Sequence, residues 1–387
     1  MRRNIILLNL AQAVIWMSMY VYTPTLPAYA AQFGASATMI GAIGSAYGVM
    51  QAALRIPLGM ALDKKRKNKL LLIIGYVVLV CSSILFLLAD SVEMMIFARG
   101  VAGISAAWSV VICTVYAKYN SEKRQVKAQG ILNAAASGGK AVGGLLCGII
   151  AFLAGYYATF IASFVIAAFA LAIVCSLEER KRKVYRRVRK DPPSFKNVLK
   201  NKDVILFSVL IAITNMLCFA IPTLFVSVAA QSIGATDMQL GLLTVVYCAA
   251  MAISSLFVGT RAYNKIGGIN VLAISFLVGA LSALPLFYFM NVPLIFVMQV
   301  ISGISYGISN SALNGFVIKC VSKRERGMAQ GVGQSLSGLG IFIGPLIVGP
   351  LVDHVSFDAA FLSMAAAMGI GALLTWLLVP KKYADMR

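Results

Sequence analysis

Long apolar runs, each ended by a short polar stretch, follow one another along nearly the whole chain. A helix needs about 20 mostly apolar residues to cross the hydrocarbon core of a bilayer. Twelve runs meet that need, near residues 4–27, 38–61, 70–89, 92–117, 128–152, 157–177, 204–228, 238–260, 269–289, 293–317, 327–351 and 357–379. The pattern predicts an all-α polytopic membrane protein with twelve transmembrane helices. The first run follows Arg2 and Arg3 and carries Ala28-Tyr29-Ala30, the outline of a secretory signal. It is longer than the roughly 7–15 apolar residues of a signal core. A later stretch also repeats its features, so it reads as the first spanning helix.

The longest polar segment runs from Glu178-Glu179-Arg180-Lys181 to Lys202 and contains the helix-breaking Asp191-Pro192-Pro193. It divides the chain into residues 1–177, a basic linker 178–203 and residues 204–387, six spans on each side. The two sides echo each other at a fixed offset. Gly34-Ala35-Ser36 matches Gly234-Ala235-Thr236, and Gly41, Tyr47 and Gly59 match Gly241, Tyr247 and Gly259. Gly103-Ile104-Ser105 matches Gly303-Ile304-Ser305, and Pro24-Thr25-Leu26 echoes Pro222-Thr223-Leu224. After a one-residue slip, Ala128-Gln129-Gly130 matches Ala329-Gln330-Gly331. Two pseudo-symmetric six-helix bundles of this kind point to a transporter with its cargo near the bilayer midplane.

Composition agrees. Of the 387 residues 60% are hydrophobic and 12% charged, against about 25% charged in soluble domains. A net charge of +21 would suggest nucleic acid in a soluble chain. Here all but three of the 34 Lys and Arg residues lie at the termini or in alternate loops: 64–69, 118–127, 180–202, 261–265 and 319–326. Such cations gather on the cytoplasmic side. Both termini are therefore expected in the cytoplasm, in a multi-pass protein of the cell membrane. The expected partners are lipid headgroups and a small-molecule cargo, not nucleic acid, with the protein a monomer. Seven cysteines have no paired spacing, and His354 is the single histidine. That leaves almost nothing for a catalytic triad or a metal centre, so no enzyme activity, metal or cofactor is expected.

Gly59-Met60-Ala61-Leu62-Asp63-Lys64-Lys65-Arg66-Lys67, after the second span, resembles the loop signature of the major facilitator superfamily. Arg66 replaces the usual second glycine, and the second-half loop keeps Gly259 but has Tyr263 in place of Asp63. The resemblance implies a gating role for Gly59, Asp63, Lys64 and Lys67, and alternating access around the first, fourth, seventh and tenth spans. Arg99-Gly100-Val101-Ala102-Gly103 is similar to the family's fourth-helix signature, which implies a coupling role for Arg99. The other reading is an arginine that snorkels to the outer surface. Leu54-Arg55-Ile56-Pro57 resembles second helices of the nitrate and cyanate branches, in which the arginine meets the anion. Arg55 could equally hold carbonyls or Asp63. The fifth span departs from the family's antiporter signature, with Lys140 where proline is expected.

None of the 13 acidic residues falls deep in a predicted span, while Arg55, Arg99 and Lys140 do. A buried unpaired charge costs several kcal/mol unless it is balanced or neutralised. Either the cargo supplies the negative charge, or Arg99 snorkels and Lys140 is neutral. Candidate binding residues are Arg55, Arg99, Lys140, Gln12, Trp16, Tyr20, Asn133, Asn215, Tyr306 and Asn310. The leading expectation is a secondary active carrier, by efflux or exchange, of an anionic or amphiphilic solute. A proton-coupled multidrug or metabolite exporter and a lipid flippase on the same fold are the alternatives.

Overall fold

The computed structural model describes residues 2–64, 68–119, 125–177, 195–258, 265–284, 291–322 and 325–379. Among these the chain is helical throughout, with no strand. In order, the helices are α1 Arg2–Tyr20, α2 Leu26–Gln32, α3 Ala37–Lys64, α4 Asn68–Leu87, α5 Val92–Ala107, α6 Ser109–Tyr119, α7 Gln125–Ala154 and α8 Tyr156–Cys175. After the linker come α9 Phe195–Lys200, α10 Lys202–Ala220, a π-turn Ile221–Phe225, α11 Val226–Ser232 and α12 Asp237–Ser255. The last four are α13 Gly268–Leu281, α14 Val292–Lys319, α15 Arg326–His354 and α16 Phe357–Leu378. Among the described residues, ten helical stretches are long and apolar enough to cross a membrane, and α13 is a shorter apolar helix. With α1–α2 as the first crossing, the count is consistent with twelve. The protein is an all-α polytopic membrane protein.

Several runs are not simple rods. The first breaks at residues 21–25, where Pro24 brings no N–H and its ring crowds the preceding turn. Thr23 and Thr25 return hydroxyls to the carbonyls of Met19 and Tyr22, at 2.6 and 3.3 Å. Its counterpart Pro222 sits in the π-turn, and Thr223 likewise bonds the Cys218 carbonyl at 3.1 Å. The fourth run breaks at Trp108, whose indole N–H is turned to the carbonyl of Leu71. Residues 195–200 of the linker are helical as α9. Asn201 then caps α10 by accepting from the N–H groups of Asp203 and Val204. The Asp191-Pro192-Pro193 break lies outside the described residues.

Glycines set how closely the helices approach. A Cβ on Gly41, Gly48 or Gly349 would collide with backbone across the α3–α15 contact, and one on Gly338 would strike Ala52. The α7–α12 contact is as tight, with Gly144 and Gly148 seated against Thr244 and Gly241. The internal repeat reappears as packing. Gly103 faces the Tyr47 backbone as Gly303 faces that of Tyr247. Gly139 faces Ala13 as Gly340 faces Ala212. Ser105 donates to the Gly75 carbonyl at 2.9 Å, and Ser305 to the Ser275 carbonyl at 2.6 Å.

Replacing Gly48 with Val should destabilise the protein by about 1–3 kcal/mol through overpacking. Gly138→Ala should be neutral or stabilising, because an added Cβ there meets nothing within 4 Å. Thermal unfolding in detergent checks the pair, and equal shifts for both variants would contradict the packing account.

Candidate functional site

Lys140 stands at the middle of the 30-residue α7, roughly 22 Å from either end at 1.5 Å per residue. Gly139 lies against Ala13 of α1, and Gly144, one turn on, against Thr244 of α12. The lysine is thus held where the first and fifth spans meet the second half of the chain. Its Nζ lies 4.3 Å from the Trp16 ring centroid and 5.4 Å from that of Tyr20. The two rings meet edge to face, 6.2 Å apart. Ring faces attract a cation but do not replace a counter-ion. The side chain is half-buried and makes no hydrogen bond or ion pair to any described residue.

The opposite wall comes from α10, α12 and α14. Cys218, Tyr247 and Cys248 form a buried cluster against which Ala141 and Tyr306 pack. The Cys218 thiol and the Tyr247 hydroxyl share a hydrogen bond. The Tyr306 hydroxyl donates to Asn215 Oδ1 at 3.1 Å, while the Asn215 amide donates to its own helix at Ile211. Tyr47 of α3 stacks on Phe219 of α10 at 5.4 Å, with the rings nearly parallel. Aromatic and thiol groups therefore surround the lysine, without a carboxylate among them.

The two arginines are placed differently. Arg99 is 3% exposed, so it does not snorkel. It donates to the Tyr22 hydroxyl at 2.9 Å and lies over the rings of Tyr22 and Tyr47, 5.4 and 4.6 Å from their centroids. Arg55 is also buried. It donates to Gln51 Oε1, one turn before it, and at 2.6 Å to the Gln334 backbone carbonyl on α15. Gln334 and Gln330 donate in turn to Asn314 Oδ1, and Asn314 donates to Asn310. Asn310 therefore belongs to a polar ladder that ends at Arg55.

Gln12 lies one turn before Trp16, beside a small cavity shared with Tyr76. Its Oε1 and the Tyr76 hydroxyl are buried without a partner among the described residues. Asn133, two turns before Lys140 on α7, is exposed. Gly59, Asp63 and Lys64 fall in the last turns of α3, but their side chains lie outside the described residues, as does Lys67 altogether. Cys218, Tyr247, Cys248 and the Asn314–Gln330–Gln334 ladder were not singled out from the sequence. Tyr247 and Gln330 carried only a repeat signal, as the partners of Tyr47 and Gln129.

Residues 8–228 and 208–387 match the family model of the Major Facilitator Superfamily. Multidrug resistance protein 1 of Bacillus subtilis is 24% identical over 96% of this chain and 95% of its own length. The quinolone resistance protein NorA of Staphylococcus aureus is 20% identical over 100% of this chain and 99% of its own. Among solved structures, a point mutant of the nucleoside transporter NupG superposes with a TM-score of 0.79 at 17% identity, over 97% of this chain and 100% of that one. A bacterial homologue of the human lysosomal transporter Spinster, inward-facing and occupied, gives 0.78 at 15% identity, over 96% and 95%.

The cage around Arg99 gives a graded prediction. Tyr22→Phe keeps the ring and removes the hydroxyl, and should cost about 1–3 kcal/mol because a buried charged donor loses its acceptor. Tyr22→Ala also removes the ring from its contacts with Phe86 and Phe160, and should cost about 3–5 kcal/mol. Thermal unfolding measures both, and Tyr22→Phe matching the parent would refute the bond's contribution.

Proposed function

Because this chain belongs to the Major Facilitator Superfamily, we propose that it is a secondary active transporter of the cytoplasmic membrane that moves a small anionic or amphiphilic organic solute by alternating access. Lys140 carries this reading. It is the one intramembrane cation among the described residues left without a hydrogen-bonding partner, and it is half-buried between two aromatic faces. Arg55 and Arg99 are engaged by the protein itself, so the attraction for an anion is assigned to Lys140 alone. A carboxylate on an apolar or aromatic body would pair with its ammonium and lie along Trp16 and Tyr20. Tyr306, Asn215 and Cys218 would line the other side.

Loop cations on the side of the termini favour a cytoplasmic N and C terminus. An inside-negative potential drives an anion outward by roughly 2.3 kcal/mol per charge per 100 mV. Efflux, or exchange against another anion, fits that energetics, and the relatives named for multidrug and quinolone resistance support the outward direction. Those same names favour the second reading, a proton-coupled exporter of diverse drugs. It would use the aromatic walls for apolar contact and an uncharged lysine. A lipid flippase remains a third outcome of the same assay.

Proteoliposomes loaded separately with amphiphilic carboxylates, lipophilic cations and a labelled lipid distinguish the three. Carboxylates should be moved, and Lys140→Gln should lower kcat/KM for them about 10–100-fold, the scale of a lost charge-assisted hydrogen bond. Lys140→Arg should retain part of the activity. Transport of lipophilic cations without carboxylates, unchanged in Lys140→Gln, would overturn the anionic reading. Movement of the labelled lipid alone would identify a flippase.

A further inference from the structure

At the end of the bundle away from the chain termini, polar contacts tie the first six spans to the last six. The Asp353 carboxylate, at the close of α15, accepts from the backbone N–H of Ala37 at 2.9 Å and of Thr38 at 2.7 Å. These residues open α3. The first N–H groups of a helix have no partner within it, and they form the positive end of its dipole. Ser36 takes the next N–H, that of Met39, at 3.3 Å. The cap of α3 is thus divided between its own chain and a carboxylate from the other half.

The second contact lies at the matching place on the other seam. Tyr156, which opens α8, donates its hydroxyl to Asp237 Oδ1 at 2.8 Å in the first turn of α12. Positions 37 and 237 correspond in the internal repeat. Beneath each contact the backbones touch, through Gly349 against Ala37 and Gly148 against Asp237. The chemistry of the two differs. Across one seam a charged group holds two helix N–H groups. Across the other, the acid belongs to the helix itself and its partner is a neutral hydroxyl.

We infer that Asp353 is the principal latch of the gate at this end, a positioning residue for alternating access, and that Tyr156–Asp237 is a weaker second fastening. Both contacts must part before the Lys140 site can open toward this end. Their strength therefore sets the ratio of the conformer closed there to the one open there. Asp353 is exposed, so water competes for it and moderates its effect. The inference rests on the proposed alternating access. The orientation proposed above makes this end the outer one.

Cys147 is a native reporter. It is fully buried at the α7–α12 seam, next to Gly148, with its thiol hydrogen-bonded to Thr25 at 3.2 Å. A membrane-impermeant maleimide, with labelled peptides mapped by mass spectrometry, reads its exposure in right-side-out and in inverted vesicles. Asp353→Asn keeps the side chain's size but loses its charge and one of its two acceptors. It should label Cys147 about three- to tenfold faster than the parent, the scale of a charged hydrogen bond partly competed by water. Tyr156→Phe should give a smaller rise, and the double variant a larger one than either. Parental labelling in Asp353→Asn, or a greater rise in Tyr156→Phe, would overturn the latch. A rise confined to inverted vesicles would uphold the latch and overturn the proposed orientation.

Discussion

Close approach of helix backbones at glycine is the constraint on which the rest of this structure depends. Lipid tails are as apolar as leucine, so helices in a membrane gain little from hiding apolar surface from each other. They associate through close packing and hydrogen bonds instead. Along α3 and α15, Gly349, Gly41, Gly48 and Gly338 form a continuous ladder of backbone contacts. Its spacing brings the Arg55 guanidinium within reach of the Gln334 carbonyl, and at the far end brings Asp353 to the start of α3. Gly139 and Gly144 do the same for Lys140, pinning α7 against α1 on one side and α12 on the other. A one-residue shift in either ladder would move the charged side chains away from the groups they now meet.

Hydroxyls complete what glycine begins. Ser163 bonds both Ser18 and Ser83 where α1, α4 and α8 meet. Ser45 donates to the Phe342 carbonyl across the α3–α15 seam. Each bond satisfies a polar atom that lipid could not, so polarity in the core is spent on holding helices together. The aromatic cage of Arg99 is the same device enlarged. Phenol and ring faces offset a charge for which no carboxylate is supplied from within the spans.

Much of this was legible in the sequence because its causes are local or periodic. Hydrophobic runs of the right length marked the helices, and the offset between Gly103 and Gly303 foretold two contacts that the structure repeats. The break after Tyr20 was less visible, since Pro24 sits inside a run that is apolar on both sides. Among the three membrane cations, sequence could not distinguish roles, because the distinction is tertiary. Arg55 meets a carbonyl on a helix 279 residues later in the chain, and Arg99 meets a hydroxyl 77 residues earlier. Cys218 and Cys248 read as unremarkable apolar residues until the fold sets them opposite Lys140. Asp353 looked like an ordinary loop acid for the same reason.

The repeat also indicates where to look for chemistry, because the two halves share a scaffold and differ at the charges. Gly139 and Gly340 fill the same role against α1 and α10, yet the next residue is Lys140 in one half and Ile341 in the other. Arg99 corresponds to Gln299, which reaches the Pro222 carbonyl at 2.9 Å just as Arg99 reaches Tyr22, but without a charge. Arg55 corresponds to Ser255. All three cations thus belong to the first half, and each has a neutral counterpart in the second. Under the proposed alternating access, Lys140 would keep Trp16 and Tyr20, which lie in its own half, while the phenols and thiols opposite it would change position. An anion held by Lys140 would travel with the first half and exchange its remaining contacts with the second. An asymmetric charge on a symmetric frame can therefore favour one conformer when loaded and the other when empty.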